Sequence, residues 1–318
     1  MSTICFFPGQ GSQKVGMADD FFHHEPSLTK KLFSSASEVC GFDIFRLCRE
    51  GPEDELALTA NAQPAILTTS VLAFRILFSR TGFQPSVVAG HSLGEYTALV
   101  ASESMDFEDA VQVVRRRGEL MQDAVPAGKG TMVAVIGLST DRVEQMVHEL
   151  ASEGKVEIAN LNASDQTVLS LESGMLSKVI EISREYGAKK TVSLNVSAPF
   201  HSTFMQKAAE GLEKVLQNIR LKPPVYRFIS NVTGEYVEDS DNIRKLLVRQ
   251  MVSPVCWNRI MKKLVTEGHR EFVECGPGKV LSRLLKREYP ETRILNVGSV
   301  KAVNRMNLAA GGGGGVER

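Results

Sequence analysis

The chain has 318 residues, enough for roughly two domains, and 43% of them are apolar, as is ordinary for a globular protein with a sizeable core. Lys and Arg (37) balance Asp and Glu (37), and no apolar run reaches the roughly 18 residues of a membrane span, so we expect neither nucleic acid nor a membrane as partner. The five cysteines are odd in number and include no Cys-x-x-Cys, which argues against a disulfide framework and a zinc site and favours a reduced, cytoplasmic protein.

Short β-rich runs alternate with amphipathic helix-length segments, a pattern typical of an α/β protein with a largely parallel sheet. Gly41 and Gly82 are placed to end helices, and Pro64 suits a first helical position. In the first part of the chain we predict strands at 3–7 and 86–90 and helices at 27–40, 64–79 and 107–121.

The order of elements changes between about residues 130 and 195. The predicted series is strand 131–136, helix 141–152, strands 156–161 and 166–171, helix 175–186 and strand 191–194. This β-α-β-β-α-β order is that of a ferredoxin-like unit. We therefore expect a small domain at 128–196, inserted into a large α/β domain formed by 1–127 and 197–300, with the functional site in the cleft between them.

The large domain is expected to resume after the insertion and to end before a tail. Its predicted elements are helices at 203–218, 242–251, 256–267 and 279–288 and a strand at 271–274. After Val297 the chain loses its periodicity and runs into five consecutive glycines, a composition that cannot bury a core. Residues 301–318 are therefore predicted to be a flexible tail.

The segment GHSLG at 90–94 matches the G-x-S-x-G pattern of a nucleophile elbow. A predicted buried strand precedes it and a helix-permissive run follows, which is the context that such an elbow needs. Glycines allow the neighbouring backbone to come close, and the helix N-terminus faces developing negative charge. The pattern favours Ser92 as a nucleophile; the alternative is a glycine-flanked turn in which Ser92 caps a helix.

A serine nucleophile needs a base, and the chain offers six histidines. His201 follows Pro199, which fixes an extended backbone, and a helix is predicted just after it, so the ring could be held rigidly at the cleft. His91, beside the serine, is expected to pack rather than to react. The remaining four fit solvated surface: His23, His24, His148 and His269. Spacing alone leaves His201 a candidate base.

Arg117 lies on the apolar stripe of a predicted helix, in line with Ala110, Val114 and Met121. A buried guanidinium is costly without an anion, and its planar fork suits a carboxylate. Arg117 is therefore a candidate site for an anionic substrate group. The alternative is an internal salt bridge to an unidentified Asp or Glu.

Several motifs, in order from about residue 3 to about residue 300, resemble the malonyl-CoA:acyl carrier protein transacylase family. That family comprises stand-alone fatty-acid enzymes and the acyltransferases of polyketide synthases. The motifs are FPGQGSQ at 7–13, GHSLGEY at 90–96, RG and MQ within 117–122, SAPFHS at 197–202, Gln250 ahead of PVCW at 254–257, and ECGPG at 274–278.

The resemblance implies a fold and a set of catalytic roles. The fold would be an α/β-hydrolase-like large domain with a parallel sheet, carrying an inserted ferredoxin-like small domain. Ser92 would be the acylated nucleophile, His201 its general base and acid, and Gln250 the group that orients His201. The backbone N–H groups of Gln10 and Leu93 would form the oxyanion hole.

The resemblance also implies three substrate-binding residues. Arg117 would hold the malonyl carboxylate, and Asn162 of the small domain would line the substrate site. Phe200 resembles the residue of malonyl-selecting members, where a bulky ring crowds an α-methyl branch. One extra methyl group is worth about 1 to 3 kcal/mol, so this discrimination is expected to be moderate.

The implied activity is transfer of malonyl from malonyl-CoA to the phosphopantetheine thiol of an acyl carrier protein by a ping-pong route, with no metal or redox cofactor. An acidic carrier needs a basic patch; the candidates are Lys189, Lys190, Arg283, Lys286 and Arg287. One alternative is a proofreading hydrolase that clears acyl groups from carriers, which Arg117 disfavours because such an enzyme would want an apolar cleft. A carrier-binding scaffold and a generic serine esterase are further alternatives.

Overall fold

A computed structural model describes residues 3–126, 128–194, 196 and 198–311 of the chain, without the side chains from residue 306 onward. The strands are β1 Thr3–Phe7, β2 Val87–Gly90, β3 Gly130–Ile136, β4 Val156–Ala163, β5 Gln166–Glu172, β6 Lys190–Ser193, β7 Arg227–Ile229, β8 Tyr236–Val237, β9 Glu271–Cys275 and β10 Arg293–Val297.

Helices connect and cover these strands. They are α1 Asp19–His24, α2 Pro26–Cys40, α3 Ile44–Glu50, α4 Glu53–Ala57, α5 Thr59–Thr81, α6 Gly94–Ala101, α7 Phe107–Asp123, α8 Thr140–Leu150, α9 Leu176–Glu185, α10 Gln206–Gln217, α11 Ser240–Gln250, α12 Trp257–Thr266, α13 Val280–Glu288 and α14 Val300–Gly311.

The larger sheet has the strand order β10-β9-β1-β2-β7-β8 in the described part of the chain, and it is parallel except where β8 pairs with β7. Successive side chains of a strand point to opposite faces. Cys5 and Phe7 accordingly belong to the core that contains α5 and α7, whereas Ile4 and Phe6 pack in the core that contains α12 and α13. The mixed α/β character predicted from the sequence is confirmed.

The smaller sheet is antiparallel and has the order β4-β5-β3-β6, with α8 and α9 following β3 and β5. One face of β3 buries Val133 and Val135 against these two helices. The other face places Met132 and Ala134 in the core of the larger sheet. This second face brings the smaller sheet over the carboxyl end of β2, where the elbow lies.

Helix α5 differs from its prediction at its N-terminal end and in its length. It begins at Thr59, five residues earlier than predicted, so Pro64 lies inside it. The additional turn packs closely against α7. A Cβ atom on Gly118 of α7 would lie only 2.7 Å from the backbone of Ala60. By length and composition α5 could also cross a membrane, which we did not anticipate. However, 83% of its most apolar window is buried inside the protein, as is typical of a core helix.

The C-terminal region contains a helix where a flexible tail was predicted. In α14, Val300 and Val303 are buried in the main core, and Asp20 accepts a hydrogen bond from the Val300 N–H at 2.6 Å. Tertiary contacts therefore stabilise a segment whose local sequence has little periodicity. Residues 312–318 of the predicted tail lie outside the described residues.

Candidate active site

A sharp turn joins β2 to α6 and carries Ser92 in a left-handed conformation, with φ of 51°. Such a φ is uncommon for a residue other than glycine and marks a strained position. The flanking residues must be glycines, because the neighbouring backbone leaves no room for a Cβ atom. A Cβ atom on Gly90 would lie 1.9 Å from the carbonyl oxygen of Gly94, and one on Gly94 would lie 2.1 Å from that of Phe7. The turn therefore has the geometry of a nucleophile elbow.

The structure brings His201 to Ser92, with 2.7 Å between His201 Nε2 and Ser92 Oγ. The other ring nitrogen, Nδ1, lies 2.8 Å from the backbone oxygen of Gln250. Because a carbonyl only accepts, Nδ1 carries the proton and Nε2 is left to accept from the serine hydroxyl. Gln250 thus contacts the imidazole through its main chain, not its side chain.

The surroundings keep the His201 imidazole neutral. Burial, chiefly, and the positive charge of Arg117 lower the pKa of His201 to about 3. The ring is 4% exposed, so the charged form would lose its hydration. At neutral pH His201 is therefore unprotonated, as a general base must be.

Arg117 on α7 points its guanidinium at the same hydroxyl. Its Nη2 donates to Ser92 Oγ at 3.1 Å and to Gln250 Oε1 at 2.8 Å, and its Nη1 donates to Gln63 Oε1 at 2.8 Å. The centroid of the Tyr96 ring lies 5.4 Å from the guanidinium carbon. Arg117 is only 1% exposed, yet it forms no ion pair with any of the described carboxylates. Its hydrogen-bond partners are neutral, so the cation is not consumed by an internal salt bridge.

A buried polar layer beneath the elbow was not predicted. Asn231 accepts from the Ser92 N–H at 2.6 Å and donates to the Gly90 carbonyl at 2.7 Å. Glu95 accepts from the Asn231 N–H at 2.8 Å and also from the Gln250 side chain, which donates to the Ser92 carbonyl at 3.1 Å. Burial raises the pKa of Glu95 to about 8. These contacts fix both sides of the strained turn.

A cavity of about 300 Å³ opens at Ser92 between the two sheets. Of the predicted site residues, those that line it are Gln10, Ser92, Leu93, Arg117, Phe200 and His201. Gln250 lies beneath the cavity. Met121, Met132 and Asn160 also line it, and only Met121 lay within a motif noted in the sequence.

Asn162, which was predicted to line the substrate site, contacts the histidine beside Ser92. Its Oδ1 lies 2.8 Å from His91 Nε2, and it is not among the residues that line the cavity. Burial lowers the pKa of His91, whose neutral ring also packs edge-on against Trp257. The His91–Asn162 contact therefore ties the elbow to the smaller sheet.

Metal-binding side chains are not clustered in the described part of the chain: it contains no group of three or more His, Cys, Asp or Glu residues arranged to hold an ion. The five cysteines are free.

Comparisons with known proteins agree with this geometry. Residues 5–309 match the family described as "Acyl transferase domain". The chain is 43% identical over 289 residues to the malonyl CoA-acyl carrier protein transacylase of Bacillus subtilis, covering 90% of each chain. It is 39% identical over 300 residues to that of Haemophilus influenzae, covering 94% of this chain and 96% of the relative.

Solved structures show the same relationship. The transacylase of Coxiella burnetii superposes with a TM-score of 0.94 at 37% identity, covering 96% of both chains. A malonyl-transacylase in complex with its type II polyketide synthase acyl-carrier protein superposes with a TM-score of 0.93 at 36% identity, covering 96% of this chain and 98% of its own. The family resemblance of the sequence motifs is thus confirmed, and the chain belongs to the acyl transferase family, among the malonyl CoA-acyl carrier protein transacylases.

Proposed function

We propose that this chain transfers a malonyl group from malonyl-CoA to the phosphopantetheine thiol of an acyl carrier protein through an ester on Ser92. One observation carries the proposal: a hydroxyl paired with a neutral imidazole lies 3.1 Å from a buried guanidinium that forms no ion pair with the described carboxylates. A nucleophile beside an unused cation suits an acyl group that ends in a carboxylate.

Acylation begins when Ser92 Oγ attacks the thioester carbonyl carbon while His201 Nε2 takes the hydroxyl proton. The carbonyl oxygen becomes an oxyanion, to which the backbone N–H groups of Gln10 and Leu93 are proposed to donate. Collapse breaks the carbon–sulfur bond, and His201 gives the proton to the departing CoA thiolate. The carrier's thiol then reverses these steps and leaves Ser92 free.

The main-chain carbonyl of Gln250 replaces the acidic member of a serine triad. It accepts from His201 Nδ1 at 2.8 Å, which fixes the tautomer but places no full negative charge beside the ring. Because a thioester is already an activated acyl donor, the base needs the right tautomer more than a strong anion. This arrangement also weakens the case for a generic esterase.

Arg117 is proposed to bind the malonyl carboxylate in a bidentate pair, exchanging its contacts with neutral amides for a charged partner. Phe200, 5% exposed and lining the cavity, would crowd a branched acyl chain. A proofreading hydrolase is disfavoured because its uncharged acyl substrates would leave Arg117 without an anion. The route uses groups of this chain only, with malonyl-CoA as a substrate rather than a cofactor, and we propose the cytoplasm as its location.

We also infer an α/β-hydrolase-like large domain, formed by residues 1–127 and 197–300, and a ferredoxin-like small domain at 128–196. The parallel sheet with a nucleophile elbow after β2 supports the first description. The β-α-β-β-α-β order of β3 to β6 supports the second. The cleft between the domains would then hold the acyl group.

Intact-protein mass spectrometry tests the covalent step. After mixing with malonyl-CoA, the wild-type protein is expected to gain one malonyl group and Ser92→Ala none, because the variant lacks the attacking oxygen. Ser102→Ala, which removes another buried serine hydroxyl outside the cavity, is the control and should still be acylated. An adduct on Ser92→Ala at full yield would move the nucleophile elsewhere.

A further inference from the structure

A second cavity, of about 600 Å³, lies beside the catalytic one at the carboxyl ends of three neighbouring parallel strands. It is bounded by the turns that follow β1, β9 and β10, at residues 11–12, 277–279 and 298–299. Open α/β sheets bind ligands in crevices outside the carboxyl ends of their strands. Gly11 lines both cavities, so the second cavity adjoins the entrance to Ser92.

The charged side chains that line this cavity are all positive among the described residues. Five cationic side chains line it, and no Asp or Glu is among its described lining residues; the cations are Lys14, Lys279, Arg283, Lys301 and Arg305. In the described part of the chain none of the five forms an ion pair. We call this site the basic cavity.

Two nearby carboxylates accept hydrogen bonds from helix ends and form no ion pair with the cations of the basic cavity. Asp20 accepts from the Val300 N–H at the start of α14. Glu274 accepts from the N–H groups of Leu281 and Ser282, at 3.1 and 2.9 Å, at the start of α13. Five like charges held around one concavity repel each other, so the arrangement is stabilised when an anion enters.

We propose that the basic cavity binds the phosphate groups of CoA while the thioester reaches Ser92 past Gly11. The inference rests on the proposed function, because it assigns a place to the far end of the same donor. CoA carries several phosphate groups joined by the pantetheine arm to the thioester, and clustered Lys and Arg side chains suit phosphate oxygens. The volume is in the range of small-ligand sites, which favours a nucleotide over a protein surface.

Steady-state acylation with two donors tests this assignment. The variant Lys279→Gln/Lys301→Gln/Arg305→Gln is expected to raise KM for malonyl-CoA about tenfold at low salt, with little change in kcat, because the phosphates bind alike in ground and transition states. Malonyl-pantetheine has no phosphate, so its kinetics should match those of the wild type. Lys207→Gln/Lys214→Gln, two exposed lysines of α10 outside the cavity, is the matched control.

An inhibitor supplies an independent measurement. Adenosine 3′,5′-bisphosphate should compete with malonyl-CoA in the wild type and lose this effect in the triple variant. Equal losses with both donors, or an unchanged KM for malonyl-CoA, would overturn the assignment. So would a defect confined to the carrier half-reaction, which would assign the cavity to the carrier protein instead. Failure of the wild type to be acylated at all would contradict the proposed function, a result distinct from these.

Discussion

His201 shows how burial sets the chemistry of a single residue. Its imidazole is enclosed, and Arg117 adds a positive charge nearby, so its pKa falls to about 3 from an ordinary value of 6.5. Between these values the unfolded chain binds a proton that the folded protein does not. The folding stability associated with this group is therefore fully present above the unfolded pKa and is lost as pH falls towards about 3.

The first prediction concerns the pH dependence of acylation. Because His201 stays neutral, the rate of Ser92 acylation by malonyl-CoA should change less than about threefold between about pH 7 and about pH 5, where an ordinary histidine becomes protonated. Rapid-quench mass spectrometry measures that rate, with circular dichroism to check folding at each pH. A fall in the rate centred near the ordinary histidine pKa would show that the folded imidazole is accessible to protons.

The second prediction concerns Arg117. Removing one member of a buried charged pair costs on the order of 2 to 5 kcal/mol, so Arg117→Ala should lose at least roughly thirtyfold in malonyl transfer. Acetyl transfer should be spared or improved, because an uncharged acyl group no longer meets an unpaired cation. Arg116→Ala, whose parent side chain pairs at the surface with Glu119 at 2.9 Å, is the matched control.

The rates of malonyl and acetyl transfer are measured for the wild type, Arg117→Ala and Arg116→Ala. If both substrates lose the same factor in Arg117→Ala, the residue supports the fold of the site through Gln63 and Gln250 and does not select the acyl group.

Among individual residues, those within local motifs were proposed as site residues from the sequence, whereas those that reach the site through long-range contacts were not. Ser92 lies between glycines that allow close backbone approach, and His201 follows a proline that restricts the backbone, so both could be proposed as site residues from the sequence. Asn231 and Gln63 reach the site across 139 and 54 residues of sequence. Nothing in their own neighbourhoods distinguishes them from other polar side chains, and only the folded structure shows their contacts.

The strand-turn-helix element at β2 and α6 depends on close backbone approach. Gly94 lies against the carbonyl oxygen of Phe7 on the neighbouring strand, and Ser92 between the glycines has a positive φ. The element therefore leaves no room for a Cβ atom at Gly94. Its glycines position Ser92 by allowing β1 and α6 to come into contact.

The third prediction tests this requirement. Gly94→Ala should lower the free energy of unfolding by about 3 kcal/mol or more and abolish acylation, because the backbone must move to admit the methyl group. Gly174→Ala is the control, since a Cβ atom there would meet nothing within 4 Å. Urea unfolding measures both variants, and wild-type stability in Gly94→Ala would show that the turn can relax.

Elements with a clear sequence pattern of their own were predicted well, including short strands such as β1, and elements stabilised mainly by tertiary contacts were not. Helices α2 and α7 differ from their predicted bounds by at most two residues. Strand β10 lacks a distinct buried pattern of its own and is fixed by pairing in parallel with β9. Helix α14 is stabilised by burial of Val300 and Val303 in the core. The local composition of this segment does not indicate that burial.

At the scale of the whole molecule, contacts between the two sheets define the cleft. Val255 donates to the Ala159 carbonyl and accepts from the Leu161 N–H, each at 2.9 Å, which joins the chain before α12 to β4. Arg287, one of the residues expected to meet the carrier, forms an ion pair with Asp165 at 2.9 Å. Arg287 is therefore already used to hold the sheets together.

The fourth prediction concerns carrier docking by Lys189 and Lys190, which are exposed at the start of β6. Lys189→Glu/Lys190→Glu should slow transfer to an acidic carrier by about tenfold at low salt and weaken its salt dependence, while acylation by malonyl-CoA is unchanged. Lys214→Glu on α10 is the control. Equal losses in both half-reactions would indicate damage to the fold instead of a lost docking contact.

In the proposed reaction, malonyl passes from CoA to a carrier through Ser92. The most direct measurement isolates the malonyl-enzyme, free of CoA, and follows the intact masses of enzyme and added holo acyl carrier protein over time. We expect the malonyl mass to leave the enzyme and to appear on the carrier in equal amount, many times faster than it is lost to water alone. Loss to water at the same rate with and without carrier, and no gain of mass on the carrier, would contradict the proposed reaction and identify a hydrolase.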